Sequence, residues 1–138
     1  MDLLIDTNVL VDVFLQRKPF EKHSKQIFEL CMSHKHNGII AAHSFTNMYY
    51  IMRKNFRQED LRQLLLILLE NFDVVSIDKQ KIINGLNRFS FPDFEDCLQD
   101  ECADEFHCDY IITRNTNDFS ISKVQAVSPE EFLKLKAV

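Results

Sequence analysis

Apolar residues along this chain follow two habits: short blocks, and longer stretches in which they return every three or four positions. The blocks are Leu3 to Ile5, Gly38 to Ala42, Phe72 to Ile77 and Tyr110 to Ile112. Each is short, largely aliphatic, and reads as a strand buried on both faces. Between them, residues 20–35 set Phe20, Ile27, Phe28, Cys31 and Met32 near one helical face, and residues 59–70 and 78–89 also carry helical spacing. Residues 93–107 repeat Phe94, Leu98, Cys102 and Phe106 as one apolar stripe, with Asp93, Asp96, Asp100 and Asp104 together on an opposite face that should be solvated. Ser128 before Pro129 predicts an N-cap and a first helical position, hence a short closing helix. Strand and helix in alternation imply a parallel α/β sheet.

Composition narrows this picture. A chain of 138 residues with 46% apolar content is the size of one domain, here expected to span residues 1–138, and can bury a core without disulfides. Two Gly and three Pro leave little room for long linkers, and no disordered tail is expected. Cys31, Cys97, Cys102 and Cys108 lack Cys-x-x-Cys spacing and read as buried free thiols; Cys102, His107 and Cys108 lack the paired spacing of a zinc site. Asp2, Asp6 and Asp12 interrupt the apolar start and no basic segment precedes it, so the chain is expected to be cytoplasmic. Leu64 to Leu69 is the longest apolar run and falls far short of the roughly 20 residues a bilayer needs. That helix is apolar nearly all the way round, which predicts self-association unless a neighbouring helix covers its second face.

The net charge of −5 argues against indiscriminate binding of nucleic acid through a basic surface. It leaves open a site that concentrates acid around a bound metal. Asp6 is the leading candidate, because it stands where an apolar strand stops and a helix begins, the place where ligands bind in open α/β sheets. Further acids recur as Asp93-Phe94-Glu95-Asp96 and at Asp118. Carboxylates converging from distant segments can hold a hard divalent cation. Taken alone, Asp93 and Asp96 read better as caps of a helix that follows Pro92 than as a site. His43 beside Ser44 makes no catalytic pair by adjacency, and Ser44 reads as a helix N-cap. Arg53, Lys54, Arg57 and Arg114 are expected at the solvated surface, and Tyr49 and Tyr50 in the core.

Three motifs in order bring in a resemblance. Leu4-Ile5-Asp6-Thr7-Asn8-Val9-Leu10, then Asp96-Cys97-Leu98-Gln99 leading to Ala103, then Thr113-Arg114-Asn115 followed by Asp118-Phe119, together resemble the PIN-domain family, which includes the VapC ribonuclease toxins. The resemblance implies a three-layer α/β domain, a central parallel sheet flanked by helices. It also implies a metal-dependent endoribonuclease, using Mg²⁺ or Mn²⁺ and leaving a 5′-phosphate and a 3′-hydroxyl. Asp6 and Asp96 match the first and third family acids and are the implied metal ligands, while Asn115 sits where a fourth acid or an Asn is found. Asp93 and Asp118 would supplement the catalytic cluster; Asn47, Thr113 and Asn115 would position substrate or water. The departure is at the second acid, usually a Glu on the helix after the second strand, where this chain has Asn47. An amide can offer an oxygen to a cation but brings no charge. The implied partners are RNA, an antitoxin protein and a second copy of the chain. A non-catalytic RNA-binding or scaffold protein of the same fold is the alternative, and a receiver-like regulator fits less well because its acids and lysine would need a different order.

Overall fold

The computed structural model describes residues 1–135. Five strands form one parallel sheet: β1 (Asp2–Ile5), β2 (Asn37–Ala41), β3 (Asp73–Val75), β4 (Tyr110–Ile112) and β5 (Ala126–Val127), in the order β3-β2-β1-β4-β5. Seven α-helices connect and cover them: α1 (Thr7–Phe14), α2 (Glu21–Met32), α3 (Ala42–Met52), α4 (Gln58–Asn71), α5 (Lys79–Leu86), α6 (Phe94–Glu105) and α7 (Pro129–Leu133). The two-residue β5, flanked by Gln125 and Ser128, carries no strand signal of its own in the sequence; the block Tyr110–Ile112 coincides with β4, and the other three differ from the observed strands by a residue or two at their ends.

Alternation along β1 sorts the interior into two cores. Leu3 and Ile5 point to one face and pack with Val9, Ile27, Met48, Leu68 and Phe132, while Leu4 points to the other and packs with Ile39, Cys97, Cys102 and Ile111. Helices α1, α2, α3, α4 and α7 contribute to the first core and α6 to the second, giving three layers. Gly38 on β2 has no room for a side chain, because a Cβ there would run into the Phe72 ring and lie 3.0 Å from the Cys31 Cβ. With so few glycines, the residues after the C-caps of α1, α2 and α6, namely Gln16, His34 and His107, take the left-handed conformation instead (φ 52°, 60° and 58°). His107 thereby ends a helix, and the four cysteines are buried and free.

The acidic face of α6 departs from expectation. Asp104 is exposed, but Asp100 is wholly buried: its two oxygens accept from the backbone N–H groups of Lys123 (2.9 Å) and Val124 (3.0 Å), and Arg88 lies 2.8 Å away. Glu101 beside it pairs with Arg88 and Lys123. These acids pin the approach to β5 against α6, a role that needs partners distant in sequence. Phe94, at the start of the stripe, stays 44% exposed, and Phe20 precedes its helix at 40% exposed rather than joining the core. Tyr50 is also outside the core, 68% exposed with the Arg53 guanidinium 4.0 Å above its ring, whereas Tyr49 packs against the core. Ser128 and Glu131 form a capping box that opens α7 behind Pro129, as the sequence predicts. No helix among the described residues is long and apolar enough to cross a membrane.

Candidate active site

The sheet order places β1 and β4 side by side where the chain's direction of winding reverses, so a crevice opens beyond their carboxyl ends. Asp6 follows β1 and Thr113 follows β4 at this point. Asp6 occupies the N-cap position of α1 yet makes no capping bond with its side chain. Its carboxylate turns instead to Thr113, whose hydroxyl donates to Oδ2 at 2.8 Å, and to Gln99 of α6, whose amide donates to Oδ1 at 3.1 Å. The Gln99 amide also lies 3.5 Å from the Ser44 hydroxyl, which in turn accepts from Thr7 at 2.9 Å. Asp6 is only 4% exposed. Burial raises its pKa, opposed by the bonds from Thr113 and the Thr7 backbone and by Arg114.

The start of α6 supplies the other carboxylates. Asp93 is its N-cap and accepts from the Asp96 backbone N–H at 3.0 Å, so the capping role is realised there. Asp96 is partly buried, and burial together with Asp6, Asp93, Asp118 and Glu95 pushes its pKa up to about 7. Burial and all four of these acids act in the same direction on Asp96, and no cation among the described residues opposes them. Glu95 is raised too, by burial and by Asp93 and Asp6, and its Oε1 accepts from the Asn47 amide at 2.7 Å. Asp118 lies on the 3₁₀ turn Thr116–Phe119, and exposed Asn115 donates its backbone N–H to the Thr113 hydroxyl at 3.1 Å.

Several of these roles carry no local signal in the sequence. Gln99 reaches Asp6 across 93 positions, and nothing local marks it beyond a polar residue one turn after Asp96. Glu95 was visible inside the acidic block but had no partner to single it out. Ser44 is not an N-cap; Ala41 holds that place, and Ser44 is buried one turn inside α3 because Thr7 and Gln99 reach it there. His43 next to it has both ring nitrogens buried without a partner among the described residues, and burial lowers its pKa, so it forms no triad. Arg114 is not a free surface charge. Its guanidinium makes two bonds to wholly buried Asp12 (2.7 and 3.0 Å) and lies 4.0 Å over the Phe20 ring, which anchors the Thr113–Asn115 segment to α1.

The donors here are hard oxygens, the chemistry that suits Mg²⁺ or Mn²⁺ rather than zinc or copper. Gln99 Oε1, wholly buried beside Asp6, has no partner among the described residues and adds an unsatisfied acceptor at this place. No three His, Cys, Asp or Glu side chains among the described residues stand together closely enough to enclose an ion. A cation would therefore take at most two carboxylates directly and keep water in the rest of its shell, as Mg²⁺ usually does.

A family profile described as the PIN domain matches residues 2–117. The chain is 24% identical over 137 residues to Ribonuclease VapC1 of Aquifex aeolicus (strain VF5), covering 94% of this chain and 92% of that protein. Its fold superposes on a chain of a toxin-antitoxin complex from Klebsiella pneumoniae with a TM-score of 0.69 at 23% identity, covering 92% of this chain and 97% of the other. A chain of FitAcB from Neisseria gonorrhoeae gives a TM-score of 0.69 at 15% identity, covering 93% of this chain and 98% of the other. VapBC2 from Rickettsia felis, bound to a promoter DNA fragment, gives 0.68 at 14% identity with coverage of 93% and 98%. At these identities the structural likeness speaks for the fold.

Proposed function

The chain belongs to the PIN-domain family, and from that premise we propose that it is a divalent-metal-dependent endoribonuclease acting at the cleft around Asp6 and Asp96. The observation that carries this reading is the placement of Asp6, at the end of β1, against Gln99 of α6, the helix whose start bears Asp93, Glu95 and Asp96, with Asp6, Asp93, Asp118 and Glu95 all pushing the Asp96 pKa up. Acids gathered this way cost stability, and a bound cation repays that cost. Similarity to a protein named as a ribonuclease supports the reaction class.

Asp6 and Asp96 are the residues that would hold the ion. Bound Mg²⁺ or Mn²⁺ supplies Lewis acidity at the phosphate and lowers the pKa of a coordinated water. Thr113 and Gln99 lock the Asp6 carboxylate in one orientation, so no side-chain freedom is lost when RNA arrives. Asp93 and Asp118 would orient water at the rim, and exposed Asn115, bonded through its backbone N–H to the Thr113 hydroxyl, would position substrate or water. Hydrolysis leaves a 5′-phosphate and a 3′-hydroxyl.

The biological setting follows from the relatives. Structures of this fold have been solved as toxin–antitoxin assemblies, and we take this protein to be the toxin of such a pair, cytoplasmic and silenced by a small partner. Self-association through α4 belongs to the same proposal: Leu61 and Leu68 face the core, while Leu66, Ile67 and Leu69 are 53%, 44% and 48% exposed, so no helix among the described residues covers that second face. The neutral Asn47 favours one rival reading, an RNA-binding protein without catalysis. Purified protein incubated with single-stranded RNA and Mn²⁺ separates the two. Cleavage that stops on chelation and in Asp6→Asn supports the enzyme; RNA bound but intact under all conditions supports the rival.

A further inference from the structure

Position 47 and position 95 form one unit. Ser44 and Asn47 lie three residues apart on α3, and Gln99 and Glu95 lie four apart on α6, so each pair shares a helix face. Two contacts then cross between the helices: Gln99 meets Ser44 at 3.5 Å in the buried layer, and Asn47 meets Glu95 at 2.7 Å at the exposed rim. The inner contact ends on Asp6, because the same Gln99 amide donates to its Oδ1. Glu95 is therefore carried on the α6 face that touches Asp6, one turn nearer the opening of the cleft.

The Asn47 amide has a second consequence. An acid at position 47 would face the Glu95 carboxylate within hydrogen-bond distance and repel it, whereas an amide N–H donates to it and fixes its rotamer. The charge absent from α3 is thus present on α6, and the amide is the group that permits it. Gln99 Oε1, wholly buried and without a partner among the described residues, stands on the same face as an acceptor that a water in this layer would satisfy.

We propose that Glu95 is the third carboxylate of the cation site, retaining the ion through a water of its hydration shell, and that Asn47 is its positioning residue. The inference rests on the reading that the cleft binds a divalent cation. It goes beyond that reading by assigning to Glu95 the work that a charged residue at position 47 would have done.

Mn²⁺ affinity of the full-length protein, measured by calorimetry and by the electron-paramagnetic-resonance signal of free Mn²⁺, tests it without reference to activity. Glu95→Gln should weaken binding by at least about tenfold, in the range found for residues that act through a metal's water or ligands. Asp104→Asn removes one charge from the far end of the same helix, outside the cluster, and should leave affinity within about twofold if the effect is local. The double variant Asn47→Glu with Glu95→Gln returns a carboxylate from the α3 side and should regain most of the lost affinity. Wild-type affinity in Glu95→Gln overturns the proposal, as does a double variant no tighter than Glu95→Gln alone. Asp6→Asn keeps the two layers of inference apart: if wild type binds Mn²⁺, Asp6→Asn does not and Glu95→Gln is unaffected, only the role of Glu95 falls. Absence of Mn²⁺ binding by wild type at millimolar concentration defeats the metal site itself.

Discussion

Replacing Asp96 with Asn should make the metal-free protein more stable, although the same change removes a proposed ligand. The carboxyl titrates near 7 in the folded chain against an ordinary 3.8, because burial and four neighbouring acids disfavour its charge. Between those two values the folded state keeps a proton that the unfolded chain has released, so stability falls as pH rises from about 4 to about 7 and levels off above. The full gap corresponds to roughly 4 kcal/mol at 1.36 kcal/mol per pH unit. Solvent reaches this partly exposed group and screens its neighbours, which reduces the penalty to about 1–2 kcal/mol. The Asp96 carboxylate accepts no hydrogen bond from the described residues, so an amide there leaves no partner stranded. In EDTA at pH 8, thermal unfolding of Asp96→Asn should shift upward by roughly 3–8 °C, the change such an energy produces in a domain of this size. Near pH 4 the two proteins should melt together. With Mn²⁺ at a hundred times its dissociation constant the order should invert, since wild type alone gains about 2.7 kcal/mol from the ligand. A variant equal to or less stable than wild type at pH 8 in EDTA, or a difference that persists unchanged at pH 4, refutes the electrostatic argument.

Arg114→Ala leaves Asp12 buried without its two-bonded partner, and Arg17 at 3.9 Å replaces little of that contact. Denaturant unfolding should show a loss of about 3 kcal/mol, and a loss below about 1 kcal/mol would mean that water or Arg17 compensates. Sedimentation at micromolar concentration should show a dimer that Leu66→Glu weakens without loss of the folded circular-dichroism spectrum; a strictly monomeric wild type removes the α4 interface from the account.

The sequence carried the inner sheet well because burial on both faces of β1, β2 and β4 leaves compact apolar blocks, whereas the edge strand β3, with Asp73 and Val74 exposed, shows only through Val74 and Val75 inside a mixed run. Strand β5 is invisible for the opposite reason: two residues, Ala126 and Val127, owe their extended state to pairing with Ile111 and Ile112 rather than to a pattern of their own. The site was legible where motifs are local. Asp6 ends a strand, Asp93 follows Pro92, and Thr113 follows β4, each readable from immediate neighbours. What escaped depends on contacts across the chain. Asp100 looks like a solvated acid until Arg88 and the Lys123 backbone arrive from elsewhere, nothing beside Asp12 in sequence marks Arg114 as its partner, and Gln99 and Glu95 gain meaning only once α6 is laid against β1 and α3. Helical periodicity marks which side of α6 is apolar and is silent about acids that are buried in pairs.

Asp6 and Asp96 are proposed to share a divalent cation at the carboxyl ends of β1 and β4. Anomalous scattering from a crystal soaked in millimolar Mn²⁺ tests it most directly, because the metal locates itself independently of any assumed mechanism. One or two anomalous peaks are expected within coordinating distance of the Asp6 and Asp96 carboxylates, with their loss in Asp6→Asn. Peaks confined to surface carboxylates elsewhere, with this cleft free of anomalous density, would contradict it.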